Sequence, residues 1–219
     1  MTEIAIVNIE QSLTVMQVEI LSRFVSAERQ NQIKKFHFFQ DAQYSLIGEL
    51  LARAEICIRT GLSINSIVFL KNGFGKPFIE NAPQLHFNIS HTANYVACVL
   101  DDQPVGIDIE EIKDSDIKIA ERFFAPDELA YILEGSELDQ NIRFIEIWTM
   151  KESFIKREGG GLSIPLRSFS VLGEKTDQKK YFHKIYKDEH VISHVCSTSD
   201  TFPKVKIMTV LDLVKFFGI

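Results

Sequence analysis

Two short stretches of this 219-residue chain place acids close together. In Gly106-Ile107-Asp108-Ile109-Glu110, an extended backbone puts Asp108 and Glu110 on one face and Ile107 and Ile109 on the other. Two carboxylates side by side repel. A hard divalent cation relieves that repulsion, and Mg2+ prefers carboxylate oxygens completed by water and phosphate. The second stretch, Trp148 through Leu162, reads as a helix stopped by three glycines, with Trp148, Glu152 and Lys156 four apart on one face. Taken singly, the strand is an ordinary edge with exposed acids, and Glu152 with Lys156 is a surface ion pair contributing a few tenths of a kcal/mol. Together they offer three carboxylates for one cation and an ammonium for an anionic substrate.

Other groups suit the same substrate. Phe87-Asn88-Ile89-Ser90-His91-Thr92 brings a hydroxyl and an imidazole to a strand end, where a solitary histidine is usually structural. Asn72-Gly73-Phe74-Gly75-Lys76-Pro77 is a glycine-rich turn with backbone amides and one lysine. A diphosphate bridged by Mg2+ would meet all of them. There is no Gly-x-Gly-x-x-Gly after a strand and no Gly-x-x-x-x-Gly-Lys-Ser/Thr, so dinucleotide-binding and P-loop cradles are excluded.

Composition narrows the class. Lys plus Arg number 24 against 30 Asp plus Glu, a net charge of -6, so indiscriminate nucleic-acid binding is disfavoured and any anion must be held by local basic groups. With 45% hydrophobic residues and 17 Phe the chain can bury a sizeable core. No signal-peptide pattern or membrane-length apolar run is present, and the reading is a soluble cytoplasmic protein with no membrane partner. Cys57, Cys98 and Cys196 are widely spaced, suggesting reduced thiols rather than a disulfide or zinc framework.

The elements that must position these groups follow from periodicity. A strand at 3 to 9 precedes a helix through Leu13, Met16, Ile20, Leu21 and Phe24. Ser26 caps a short helix whose Arg29, Lys34 and Lys35 form either a solvated face or an anion site. A longer helix runs from about Asp41 to a stop at Gly61. Strands are expected at 65 to 70 and 85 to 89, then at 95 to 100 and 105 to 110 joined by Asp101-Asp102-Gln103-Pro104. A short helix follows near Phe123, another opens at Pro126 and carries Glu128, and the Trp148 helix spans about 141 to 158. Segments near 168 to 173, 180 to 186, 190 to 196 and 204 to 210 predict an antiparallel sheet, with a short helix at the end. The class is α+β, with two pseudo-equivalent halves, 1 to 104 and 105 to 219, each a small antiparallel sheet with helices.

The ordered set Gly75-Lys76-Pro77, Phe87 to His91, Val105 to Glu110, Phe123-Phe124 with Glu128, and Trp148 to Leu162 resembles the 4'-phosphopantetheinyl transferases. It is most similar to the monomeric type that activates surfactin and gramicidin synthetases, over roughly residues 20 to 175. The resemblance implies transfer of phosphopantetheine from coenzyme A to a serine of an apo acyl or peptidyl carrier protein, with release of 3',5'-ADP. It implies an active site between two similar halves. By it, Asp108, Glu110 and Glu152 correspond to Mg2+ ligands, while Lys76, Pro77, Ser90, His91 and Lys156 fall where coenzyme A is lined; Gly75 belongs to the same turn.

With the partner supplying the nucleophile, a carboxylate must take its proton. Glu152 is the first choice and Glu128 the second, with Lys156 and Asp108 in the same catalytic group. Relatives often carry more basic residues around positions 32 and 44, where this chain has Gln32 and Tyr44, leaving Arg29, Ser45 and His91 to hold the 3'-phosphate. A Mg2+-dependent phosphohydrolase would use the same acids and lysine with water as nucleophile. The stretch after Gly161, roughly 162 to 190, is expected to meet the carrier through Leu162, Ile164, Leu166 and Phe169, unless these are core residues.

Overall fold

Alternation along β1 (Glu3–Asn8) sets the layers: Ala5 and Val7 turn to one buried side, Ile4 and Ile6 to the other. A strand buried on both faces needs a cover on each. In the computed structural model, which describes residues 1–173 and 180–219, the long helix α3 (Phe39–Thr60) covers one face of β1's sheet and a second sheet covers the other. β5 (Tyr95–Asp101) repeats the pattern, with Val96, Cys98 and Leu100 toward α3 and Tyr95, Ala97 and Val99 toward the second sheet.

The first sheet runs β4 (His86–Thr92), β5, β1, β9 (Lys204–Thr209); its pairs are antiparallel except β1 with β9, which is parallel. The second is antiparallel, in the order β6 (Gly106–Glu111), β8 (Val191–Ser197), β7 (Tyr181–Lys187). On β6, Ile107 and Ile109 pack toward the first sheet, which leaves Asp108 and Glu110 facing α6 (Glu137–Glu158). The result is the expected α+β arrangement of two halves, each a small sheet backed by a 22-residue helix.

The smaller elements are α1 (Val15–Leu21), α2 (Ala27–Ile33), the hairpin of β2 (Phe69–Lys71) and β3 (Pro77–Ile79), α4 (Ile117–Phe123), α5 (Pro126–Leu133) and α7 (Val210–Phe216). Ser26 accepts from the Arg29 N–H as the cap of α2, and Gly61 closes α3 through its N–H to the Cys57 carbonyl. α6 begins four residues before the sequence pattern suggests, because Glu137, Asp139 and Gln140 are polar and the lone apolar residue among them, Leu138, is exposed. Its start is set by Ser136 and Asp139, each bonding the other's backbone.

Several expectations need correction. The first helix stops at Leu21 and tightens into a 3-10 turn over Ser22–Phe24, and the strand expected at 65 to 70 begins only at Phe69 and ends at Lys71. Asp101 to Pro104 joins β5 to β6 as expected, and in doing so carries the chain from one sheet to the other. The 204 to 210 segment is not a fourth strand of the second sheet. It lies beside β1, so residues 204 to 219 pack with the first half although the expected boundary after 104 places them in the second.

The 168 to 173 segment is no strand either, because its backbone groups are taken by buried side chains. Lys151 Nζ donates to the carbonyls of Leu166 and Phe169, both at 2.7 Å, and Val171 N–H donates to Glu128 Oε1 at 2.8 Å. Ile164, Leu166 and Phe169, offered above as docking residues, pack against Phe154, Ile155 and Cys196. Residues 174–179 of that docking stretch lie outside the described residues.

Candidate active site

β4 and β6 are edge strands of different sheets, and they meet through side chains rather than a ladder. Asn88 Oδ1 accepts from the Ile107 N–H at 3.0 Å and Ser90 Oγ from the Ile109 N–H at 3.4 Å, so the exposed amides of β6 are satisfied. Asn88 has no role in the sequence reading. Its alternation with Ser90 along an edge strand is the signal that could have found it. Gly106 brings α6 down onto the start of β6: a Cβ there would collide with the Ser153 carbonyl oxygen and the Arg157 amide.

This close approach assembles the central cluster. Asp108 is buried, 2% exposed, and its Oδ1 accepts from Lys156 Nζ at 2.6 Å and from the Ser90 hydroxyl at 2.9 Å. Lys156 also donates to Ser90 Oγ at 2.9 Å, closing a triangle. The other oxygen, Asp108 Oδ2, is buried with no hydrogen-bond partner among the described residues. An unpartnered carboxylate oxygen in the interior is costly unless something positive reaches it.

Glu110 and Glu152 share the field of that charge. Burial and the nearby Asp108 push Glu110 up to about 7, against the opposing pull of Lys156 and a Trp148 hydrogen bond. Burial and Asp108 push Glu152 up as well. No three Asp, Glu, His or Cys side chains among the described residues already form a closed metal-binding set. In donor type the acids nonetheless fit a hard divalent cation: all are oxygen donors, one oxygen is orphaned, and two carboxyls are raised by burial and then by the like charge of Asp108.

The donor-side residues lie around this cluster. Gly75, Lys76 and Pro77 line a cavity of about 240 Å³ together with Glu152 and Lys156. The Lys76 ammonium, however, is directed at backbone, donating to the carbonyls of Arg157 at 2.9 Å and Val105 at 3.3 Å, and burial pushes it down to about 8. Arg29 donates to Glu49 Oε2 at 3.1 Å, to Ser45 Oγ at 2.8 Å and to Gln32 Oε1 at 3.1 Å. The Tyr44 ring stands edge-on to His91, centroids 5.5 Å apart, and its hydroxyl is engaged by Gln40. Burial and then Lys156 hold the His91 imidazole below its ordinary pKa. A larger cavity, about 460 Å³, opens behind Lys76 toward His86 and Pro104, away from the carboxylates.

Glu128 does not reach the cluster as a base. It is fully buried, paired with Lys151 Nζ at 2.8 Å, and its oxygens accept from the N–H groups of Ala125 and Val171. That places it as one half of a buried ion pair rather than beside Asp108.

Residues 104–203 match the model of the 4'-phosphopantetheinyl transferase superfamily, and residues 13–102 match that of the 4'-phosphopantetheinyl transferase N-terminal domain. The 4'-phosphopantetheinyl transferase gsp of Aneurinibacillus migulanus is 36% identical over 97% of this chain and 92% of its own. The chain belongs to the 4'-phosphopantetheinyl transferase family. The 4'-phosphopantetheinyl transferase ffp of Bacillus subtilis is 41% identical over 74% of this chain and 72% of its own. More distant is the L-aminoadipate-semialdehyde dehydrogenase-phosphopantetheinyl transferase of Xenopus laevis, 28% identical over 77% of this chain and 60% of its own. In this phosphopantetheinyl transferase the two model matches meet at 102 to 104, in the connection between the sheets.

Proposed function

We propose that the chain transfers the 4'-phosphopantetheinyl group of coenzyme A to a serine hydroxyl of an apo acyl or peptidyl carrier protein, releasing 3',5'-ADP, in a Mg2+-dependent reaction. The observation that carries this reading is the Asp108 carboxylate, with one oxygen shared by Lys156 and Ser90 and the other buried without a partner beside two raised carboxyls. Asp108, Glu110 and Glu152 would hold Mg2+, which supplies neutralisation of diphosphate charge when bound.

The chain's own residues do the rest. Lys156, fixed by Asp108 and Ser90, presents its ammonium to the diphosphate and stabilises charge building on the departing 3',5'-ADP oxygen. The carrier serine oxygen attacks the phosphorus bearing pantetheine. The bond from that phosphorus to the ADP oxygen breaks, and the serine proton passes to Glu152. With no cation bound, burial and Asp108 raise the Glu152 carboxyl, the direction that suits a proton acceptor, and Mg2+ would oppose that shift. The turn at Gly75 to Pro77, with Ser90 and His91, lines the coenzyme A side, and Arg29 with Ser45 faces its 3'-phosphate.

The same reading has the protein acting as a monomer in the cytoplasm. Free thiols at Cys57, Cys98 and Cys196 suit a reducing compartment. No helix among the described residues is long and apolar enough to cross a membrane. The test is incubation with coenzyme A, Mg2+ and a panel of apo carriers, with intact-mass measurement of each carrier. A carrier gaining the phosphopantetheine mass supports the reading. Hydrolysis of coenzyme A with no carrier modified would assign a phosphohydrolase instead.

A further inference from the structure

The turn between β2 and β3 meets the end of α6 on one side chain. Asn72 Nδ2 donates to the Gly159 carbonyl at 3.1 Å, while its Oδ1 accepts from the N–H groups of Phe74 and Lys76, each at 2.9 Å. One carboxamide therefore shapes the turn and ties it to the helix that carries Glu152 and Lys156. The fit is close. Gly159 caps α6 at φ 72, and a Cβ there would come within 2.9 Å of Lys76 Cδ and 3.4 Å of Asn72 Nδ2. Lys76 adds a second tie through its bond to the Arg157 carbonyl. The last carbonyls of a helix have no partner within it, and donors there also complement its negative end. The joined surfaces are two walls of one cavity, since Gly75, Lys76 and Pro77 line it from the turn and Glu152 and Lys156 from the helix.

We infer that Asn72 is a positioning residue for the donor substrate: its carboxamide fixes the spacing between the 73 to 77 turn and α6, and with it the width of the cavity that takes coenzyme A. The inference rests on the reading of coenzyme A as donor. Lys156 is held independently by Asp108 and Ser90, so releasing the turn leaves the reacting groups in place and weakens donor binding. Asn72 is exposed, so replacing it removes nothing from the core.

The experiment measures the Kd of coenzyme A by calorimetry, and KM and kcat for transfer to an apo carrier, in wild type, Asn72→Ala and Asn72→Asp. Asn72→Asp keeps the acceptor for both turn N–H groups but replaces the donor to Gly159 with a charged oxygen, and the uncharged Asn72→Ala separates loss of the tie from the added charge. Loss of one hydrogen bond predicts a rise of about threefold to tenfold in Kd and KM for coenzyme A in both variants, with kcat within about twofold and Tm within about 3 °C. Gly159→Ala, which attacks the contact from the other side, shifts both constants the same way. Unchanged Kd and KM in a folded Asn72→Asp or Gly159→Ala protein overturn the inference, as does a fall in Tm and kcat with KM unmoved. Wild-type protein that binds no coenzyme A overturns the donor reading itself, and this inference with it.

Discussion

Lys156 Nζ lies 2.6 Å from Oδ1 of Asp108, while Oδ2 of the same carboxylate is buried and unpartnered. The two oxygens thus have separate duties, one aligning an ammonium and the other free for a cation. Asp108→Asn keeps the size and removes the charge that both duties need, and Glu152→Gln removes the proton acceptor. Each is expected to lower the transfer rate by at least about 100-fold with the circular dichroism spectrum unchanged. Full Mg2+-dependent transfer in either variant would sink the assignment.

Glu128 offers the contrasting case. Its pairing with Lys151 is fully buried, and removing one partner of such a pair typically costs about 3 to 5 kcal/mol by stranding the other charge. Glu128→Gln should therefore lower Tm by roughly 6 to 20 °C. Below its melting range the variant should keep kcat within a few-fold of wild type. Loss of transfer at 15 °C in a variant still shown to be folded would return Glu128 to the list of bases.

On the proposed reading, donor discrimination is expected to turn on Gln32 rather than Tyr44. Tyr44 is buried against His91, whereas Gln32 is exposed and accepts from Arg29 at 3.1 Å. Gln32→Lys adds a cation beside Arg29 at little structural cost. A new charged hydrogen bond contributes about 1.5 to 3 kcal/mol, so the preference for coenzyme A over 3'-dephospho-coenzyme A should widen by about tenfold or more. The measurement is the ratio of kcat/KM for the two donors; an unchanged ratio places the 3'-phosphate elsewhere.

His194 supplies a pH dependence of stability. It is buried behind α6 with Nδ1 2.7 Å from the Thr149 hydroxyl, and burial holds its pKa down to about 3 from an ordinary 6.5. Between those values the unfolded chain binds a proton that the folded chain refuses. The stability is therefore present above about 6.5 and is lost as pH falls toward 3. His194→Asn retains a polar atom near Nδ1 but cannot titrate. It should be less stable than wild type at pH 7, with the gap narrowing steadily in urea titrations down to pH 4.5. A constant gap would show that His194 is not the group excluded.

Much of this site was legible because period-two alternation is a strong signal: Asp108 and Glu110 face α6 while Ile107 and Ile109 do not. The caps at Ser26 and Gly61 were legible for the same reason, each being a local choice made by one residue. What stayed hidden depends on distant partners. The stretch 168 to 173 alternates like a strand, but Lys151 and Glu128 take its backbone groups, and nothing near it in sequence announces that. Lys76 reads as a ligand for an anionic substrate from its glycine turn alone; that its ammonium reaches the Arg157 carbonyl, 81 residues later at the end of a helix, has no local signal. Asn88 serves a strand edge whose exposure only the packing of two sheets creates.

The parallel pairing of β9 with β1 has a bearing on how the molecule is made. β1 ends at Asn8 and β9 is completed only at Thr209, so the first sheet lacks a strand until everything between them has left the ribosome. Until then the outer edge of β1 presents unpaired backbone groups, and the face that receives α7 stays open to solvent. Residues 3–8 and 204–209 are thereby stitched together, and the second sheet is synthesised inside that loop. A chain cut short before Lys204 would keep Asp108, Glu152 and Lys156, yet release them on a scaffold with a raw edge.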